Sequence, residues 1–174
     1  MRRVLTPAAV AAALAGGAAV QAAPPANPAT TQFTVSASVV KSCVVATTGP
    51  LAFGNYAPFN GAITGSTTIN VNCSNGAGWT VTLDAGSTTG GTIGQRLLNN
   101  GGATLQYNLF IDAGYTKIFG DGTTSGSKNV TGTGTGSTTP QSITVYGQLP
   151  DSAANQGAAP GGPYTDTITV SVAY

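Results

Sequence analysis

The chain has 174 residues, of which only 6% are charged; six Lys and Arg stand against five Asp, with no His and no Glu. So near-neutral a surface offers no basic patch for nucleic acid or anionic lipid, and the lack of both His and Glu removes the commonest general bases. Roughly 150 residues beyond the apolar N-terminus suit one domain with a core of its own.

In chain order, Arg2 and Arg3 precede an Ala-rich apolar run to Val20, with small residues at Val20-Gln21-Ala22. Residues 1–22 therefore read as a secretory signal peptide. An uncleaved anchor is the competing reading, weakened by Pro7, Gly16 and Gly17 and by the poor membrane affinity of alanine. No later segment has the length and apolarity to span a bilayer, so the mature chain is expected to be exported and not membrane-spanning. Residues 23–29, APPANPA, form a flexible linker in which proline blocks helix and sheet pairing.

Residues 30–40 then alternate strictly: Phe33, Val35, Ala37 and Val39 on one side, Thr34, Ser36 and Ser38 on the other. Period two predicts a strand with one buried face. The expected domain runs from 41 to 174. Val44 and Val45 open its first apolar piece, Gly49-Pro50 turns the chain into Leu51 and Phe53, and STTINVNC puts Ile69, Val71 and Cys73 on one face. WTVTLD follows with Trp79, Val81 and Leu83 inward, Trp79 being the obvious large core residue. Asn99 to Gly102 is a hairpin signal between Leu97-Leu98 and TLQYNLFID. Residues 122–139 are almost wholly Gly, Thr and Ser and read as loop. SITVYGQLP alternates again, a Gly/Ala/Pro loop reaches Pro163, and YTDTITVSVAY ends the chain as a strand. Many short strands rich in Thr and Val between Gly-rich turns predict an all-β sandwich with Greek-key connections.

Cys43 and Cys73 are the only cysteines. In an exported chain a single disulfide is the economical reading, worth about 3–4 kcal/mol in the chain-entropy model. A metal site is the alternative, in which two thiolates would lack histidine partners. Acid–base chemistry would have to come from Asp84, Asp112, Asp121, Asp151 and Asp166. Asp121 and Asp151 read as turn formers beside Gly122 and Pro150. Alternation sets Asp166 with Tyr164 and Ile168, at a strand's start and still near water. A two-aspartate glycosidase is the enzymatic reading left, against these turn roles. GTTSGSK at 122–128 lacks the glycine before its lysine that a phosphate loop needs. A calcium site near Asp121 would have a single carboxylate. Asn72-Cys73-Ser74 and Asn129-Val130-Thr131 match the glycosylation pattern, which recurs by chance. The chain is therefore expected to be no enzyme, with no catalytic, metal or cofactor residues.

The run FTVSASVV before Cys43, the pair Phe53-Gly54, INVNCS around Cys73, YNLFID at 107–112, VYGQLP at 145–150 and the closing GGPYTDTITVSVAY occur in an order and spacing that resembles the spore coat protein U domain family. That family includes subunits of archaic chaperone–usher pili, and the resemblance covers essentially all of the mature chain. It implies an immunoglobulin-like sandwich that lacks its last strand, supplied in trans by a neighbouring subunit. It also implies a periplasmic chaperone, an outer-membrane usher and head-to-tail assembly with other copies or related pilus subunits at the cell surface. Carried onto this sequence, Phe33, Val35, Ala37 and Val39 would be donor side chains. Ile168, Val170, Val172 and Tyr174 would line the acceptor groove or sit beside it, and Cys43 and Cys73 would be the family's disulfide.

Burying a Phe, two Val and an Ala should contribute on the order of 5–8 kcal/mol before ordering costs. The alternation is identical if residues 30–40 close their own domain, so cis and trans pairing stay open at this level. The alternative function is a monomeric secreted β-sandwich acting as an adhesin or lectin-like binding module, with Tyr56, Phe59 and Tyr115 as candidate contact aromatics.

Overall fold

The computed structural model describes residues 28–136 and 138–174, so the expected signal peptide and most of the linker lie outside the described residues. The chain divides into two units at Ser38. In the first, residues 30–38 carry no strand ladder, and their Thr and Ser side chains are exposed along with the apolar ones. The second unit is a β-sandwich.

Its strands are β1 (Cys43–Thr47), β2 (Ile63–Cys73), β3 (Gly78–Leu83), β4 (Arg96–Asn100), β5 (Ala103–Phe110), β6 (Val130–Thr133), β7 (Gln141–Leu149) and β8 (Val170–Ala173). They form a five-stranded sheet in the order β1-β2-β7-β5-β4 and a three-stranded sheet in the order β6-β3-β8, with every named pair antiparallel. The period-two residues do what their spacing requires. Ile69, Val71 and Cys73 of β2, Trp79, Val81 and Leu83 of β3, Leu105, Tyr107 and Leu109 of β5, and Val145 and Leu149 of β7 are buried together between the sheets. Their Thr, Ser and Asn neighbours face outward. The β4–β5 turn centres on Gly101 and Gly102 at φ 59° and 104°, positive at both positions as a type I′ hairpin demands.

The orders β1-β2-β7-β5 and β3-β8 correspond to the A-B-E-D and C-F parts of an immunoglobulin-like sandwich, reached by chain crossings between the layers. The strand that would lie on the far side of β8 has no counterpart among the described residues. The sandwich is incomplete at that edge.

Three expectations are corrected. The Gly/Thr/Ser stretch 122–139 is not all loop, because Val130–Thr133 pairs with β3. Gly132 lies against the Trp79 indole, where a Cβ would come within 2.2 Å, so the strand carries no large side chain for periodicity to detect. The loop after Pro150 holds a single-turn helix, α1 (Ala153–Gln156), capped by Ser152. Buried Asn155 locks it by bonding the backbone N–H and C=O of Gln106 at 2.6 and 2.9 Å, which is too local to leave a helical pattern. The last stretch is laddered only over Val170–Ala173. Before that, Thr165 exchanges both backbone bonds with Asn99 of β4, while Thr167 and Thr169 accept from Ser87 and Asp84 beyond β3, so the segment passes from one sheet's edge to the other's.

Candidate functional site: an open apolar groove

Two of the sheet edges, those of β8 and β1, flank the site. Among the described residues β8 has a ladder with β3 alone, and β1 with β2 alone. An unpaired edge presents a row of free N–H and C=O groups, which makes it a template for another strand. Associated with these edges is an apolar cleft of about 300 Å³. It reaches the inward faces of both sheets and is lined by Leu51, Phe53, Ile69, Leu109, Ile168 and Val170, among others. Protein interiors are close-packed, so an open space of this size among core-facing side chains has room for further apolar side chains.

The residues after β1 form one wall. Residues 50–53 cross the inner face of the large sheet above Gly65 and Gly147, which are register partners in β2 and β7. A Cβ on Gly65 would come within 2.7 Å of the Ala52 carbonyl oxygen, and one on Gly147 within 2.8 Å of Leu51. The paired glycines thus make room for Leu51 and Phe53, and the Phe53 ring packs edge-on against Tyr107 with centroids 5.8 Å apart.

The other wall is the segment 166–170, held by Asp166. The Asp166 carboxylate accepts from the backbone N–H and hydroxyl of Ser87 and of Thr88 at 2.9–3.1 Å, and from the Tyr107 hydroxyl at 2.7 Å. Burial alone would raise the Asp166 pKa, but the hydrogen bonds from Tyr107, Ser87, Thr167 and Thr88 outweigh it and hold the group below the ordinary carboxylate range. Burial, followed by the bond to Asp166, pushes Tyr107 well above the usual phenol value. Gly86, at φ +89°, lies so close that a Cβ would sit 2.0 Å from Asp166 Oδ2.

Beneath this end is Arg96, at 0% exposure. Its guanidinium donates to the Asp84 and Phe119 carbonyls and to Asn108 Oδ1 at 2.6–3.0 Å. Burial lowers its pKa, while Tyr107, Asp84 and Asp166 act in the opposite direction. Sequence reasoning passed over Arg96, since one basic residue before Leu97-Leu98 has no signature. It also passed over Leu51 and Phe53 as groove residues, although two glycines inside strand patterns mark a close approach.

The sequence-expected residues fall as follows. Cys43 and Cys73 are bonded, S–S 1.97 Å, as direct cross-strand partners of β1 and β2. Ile168 and Val170 line the cleft, whereas Val172 packs on the core farther along β8. Tyr174 lies past the end of β8 at 58% exposure. Phe33, Val35 and Val39 are 85, 82 and 94% exposed, and Ala37 is exposed with them. Of the candidate contact aromatics, Tyr56 and Tyr115 are half-buried and Phe59 is exposed at positive φ. The five aspartates serve turns and segment contacts: Asp112 and Asp121 accept from residues just after them, and Asp151 from Tyr56, Phe59 and Gly61. No group of three or more metal-ligating side chains occurs among the described residues, and no helix there is long and apolar enough to cross a membrane.

A family model described as Spore Coat Protein U domain matches residues 29–171. No curated protein matches the chain. Among solved structures the chain is similar to one in the CsuC-CsuE chaperone-tip adhesion subunit pre-assembly complex from archaic chaperone-usher Csu pili of Acinetobacter baumannii, at TM-score 0.51 and 22% identity. The match covers 78% of this chain and 40% of that one, so this chain spans about two fifths of the length of the chain it matches. At that identity the likeness is one of fold.

Proposed function

The chain belongs to the Spore Coat Protein U domain family, and on that footing we propose that it is a structural subunit of a surface pilus or coat, polymerising by donor-strand complementation after export by a periplasmic chaperone and an outer-membrane usher. One observation carries the reading. The sandwich has an unfilled apolar cleft at an unpaired edge, and the same chain carries a strand pattern whose apolar residues, Phe33, Val35 and Val39, are exposed.

The two halves suit each other physically. A strand added beside β8 satisfies the free edge groups, and its alternate side chains enter the cleft, which is the β-augmentation mode of binding. The cleft of about 300 Å³ is twice the ~150 Å³ engineered cavity that takes up benzene, so a phenyl ring and aliphatic neighbours are accommodated. Ile168 and Val170 form the acceptor wall, with Val172 and Tyr174 farther along. Because donor and acceptor are different surfaces, the contact is heterologous and builds a head-to-tail filament wherever its rotation does not close into a ring. The chaperone's part is to cover the groove until a donor arrives.

The test is a gel of the mature assembly with and without heating. Strand exchange predicts a ladder in cold SDS that collapses on boiling. A lone monomer band under both conditions would instead favour the secreted binding module. Val35→Asp should abolish the ladder and leave chaperone-bound monomer, since a carboxylate in the cleft is desolvated without a partner. Fibres formed by that variant would sink the donor assignment.

A further inference from the structure

The disulfide lies on the covalent route between the proposed donor segment and the groove. Residues 30–40 run into Cys43 after two residues, and Cys43 is the first residue of β1. β1 is a five-residue edge strand with exposed Val44 and Val45. Its last residue, Thr47, and the Gly49, Pro50, Leu51 and Phe53 that follow it all line the cleft. Cys73, by contrast, ends β2, which is laddered to β1 on one side and to β7 over nine register pairs on the other. Ser42 and Ser74 repeat the link next door, with the Ser74 N–H bonding the Ser42 carbonyl at 2.9 Å and the Ser42 N–H bonding Ser74 Oγ at 3.1 Å.

From this arrangement we propose a mechanical role for the Cys43–Cys73 bond, which rests on the strand-exchange reading: it carries fibre tension past β1 into the centre of the large sheet. Tension reaching a subunit through its own donor segment arrives at residues 41–42. With the bond intact, it passes through sulfur to β2 and β7. Without the bond, all of it falls on β1, whose removal takes away one wall of the groove and frees the next subunit's donor strand. The S–S link therefore protects the acceptor site of the very subunit being pulled. Each ladder hydrogen bond is weak because water competes for both partners, so five edge pairs are a weak substitute for a covalent bridge.

The experiment pulls single fibres of the native chain, and of a Cys43→Ser/Cys73→Ser double variant, by optical tweezers. Where the variant does not assemble, native fibres reduced after assembly, with free thiols counted by alkylation, take its place. Native fibres should show no extension from residues 43–73, whose ends are separated by 30 positions and tied together. Fibres lacking the bond should gain roughly 65 Å per subunit if only residues 43–62 pull out, and about 100 Å if β2 follows. They should also part at lower force. Equal extension and equal parting force in the two would overturn the inference. If native chains form no fibre at all, it is the strand-exchange reading that fails.

Discussion

Asp166 points inward with Tyr164 and Ile168, where alternation sets it, and the structure supplies a reason for a carboxylate there. It ties the segment before β8 to the loop after β3 through Ser87 and Thr88, and reaches across to Tyr107. Gly86→Ala should destabilise the fold by at least ~2 kcal/mol, because positive φ is strained for alanine and the methyl would strike the carboxylate. A shifted urea midpoint for the chain from residue 23 checks this. Arg96→Lys should cost about 2–4 kcal/mol by the same measurement. A single ammonium cannot replace a fork that donates to Asp84, Phe119 and Asn108 together, and each buried acceptor left unpaired costs ~1–3 kcal/mol. A midpoint within error of the native one would remove Arg96 from the account of the site. Neither contact was legible in the sequence, since both join residues far apart in the chain through groups that carry no periodic signal.

At the scale of elements, β1, β8 and the segment 50–53 frame the groove, and the glycine pair Gly65–Gly147 sets its depth. Gly147→Ala meets only the flexible ends of Leu51 and Phe53, at 2.8–3.0 Å. The fold should therefore tolerate it at under ~1.5 kcal/mol. The displaced side chains, however, move into the space a donor strand needs. Assembly should slow while the melting temperature of the chaperone-bound subunit stays put; unchanged assembly would separate these glycines from the groove. A chain beginning at Lys41 should be stabilised by a synthetic peptide of residues 30–40, because a ligand that binds only the folded state raises its stability, by about 2.7 kcal/mol at a hundredfold excess over Kd. A peptide with Val35→Asp is the control, and equal melting shifts from both would contradict alternate-residue insertion.

On the scale of the whole molecule, charge has little part. Beyond residue 22 Lys41, Arg96, Lys117 and Lys128 face five aspartates, and the groove's walls are mainly apolar. Asp112, Asp121, Asp151 and Asp166 all sit below the ordinary carboxylate value. Hydrogen bonds from Thr124 and Thr123 lead for Asp121, and from Tyr56 for Asp151; for Asp112 and Asp166 such bonds overcome an opposing burial effect. A lowered carboxylate contributes stability that is full above its unfolded pKa, near ~4, and is lost as pH falls through the folded value. Burial raises Tyr107, and raises Tyr56 to about 12. A raised phenol contributes stability that is full below its unfolded pKa, near ~10, and lost as pH climbs through the folded value. With no histidine to titrate between, thermal melts should be nearly flat from about pH 5 to 8 and fall away below about 4 and above about 10. A marked slope inside that plateau would contradict the hydrogen-bond pattern around these groups.

Alternation, turn chemistry and the cysteine pair were enough to establish an all-β sandwich, its core from Ile69 to Leu149 and the hairpin at Gly101-Gly102, because each follows from spacing along one strand or one turn. They could not show that Val130–Thr133 is a strand, that Leu51 and Phe53 overlie Gly65 and Gly147, or that the edge beside β8 stands open above unfilled space. A strand reads the same whether its partner is present or absent. Only the assembled sheets decide which backbone groups are left without a neighbour.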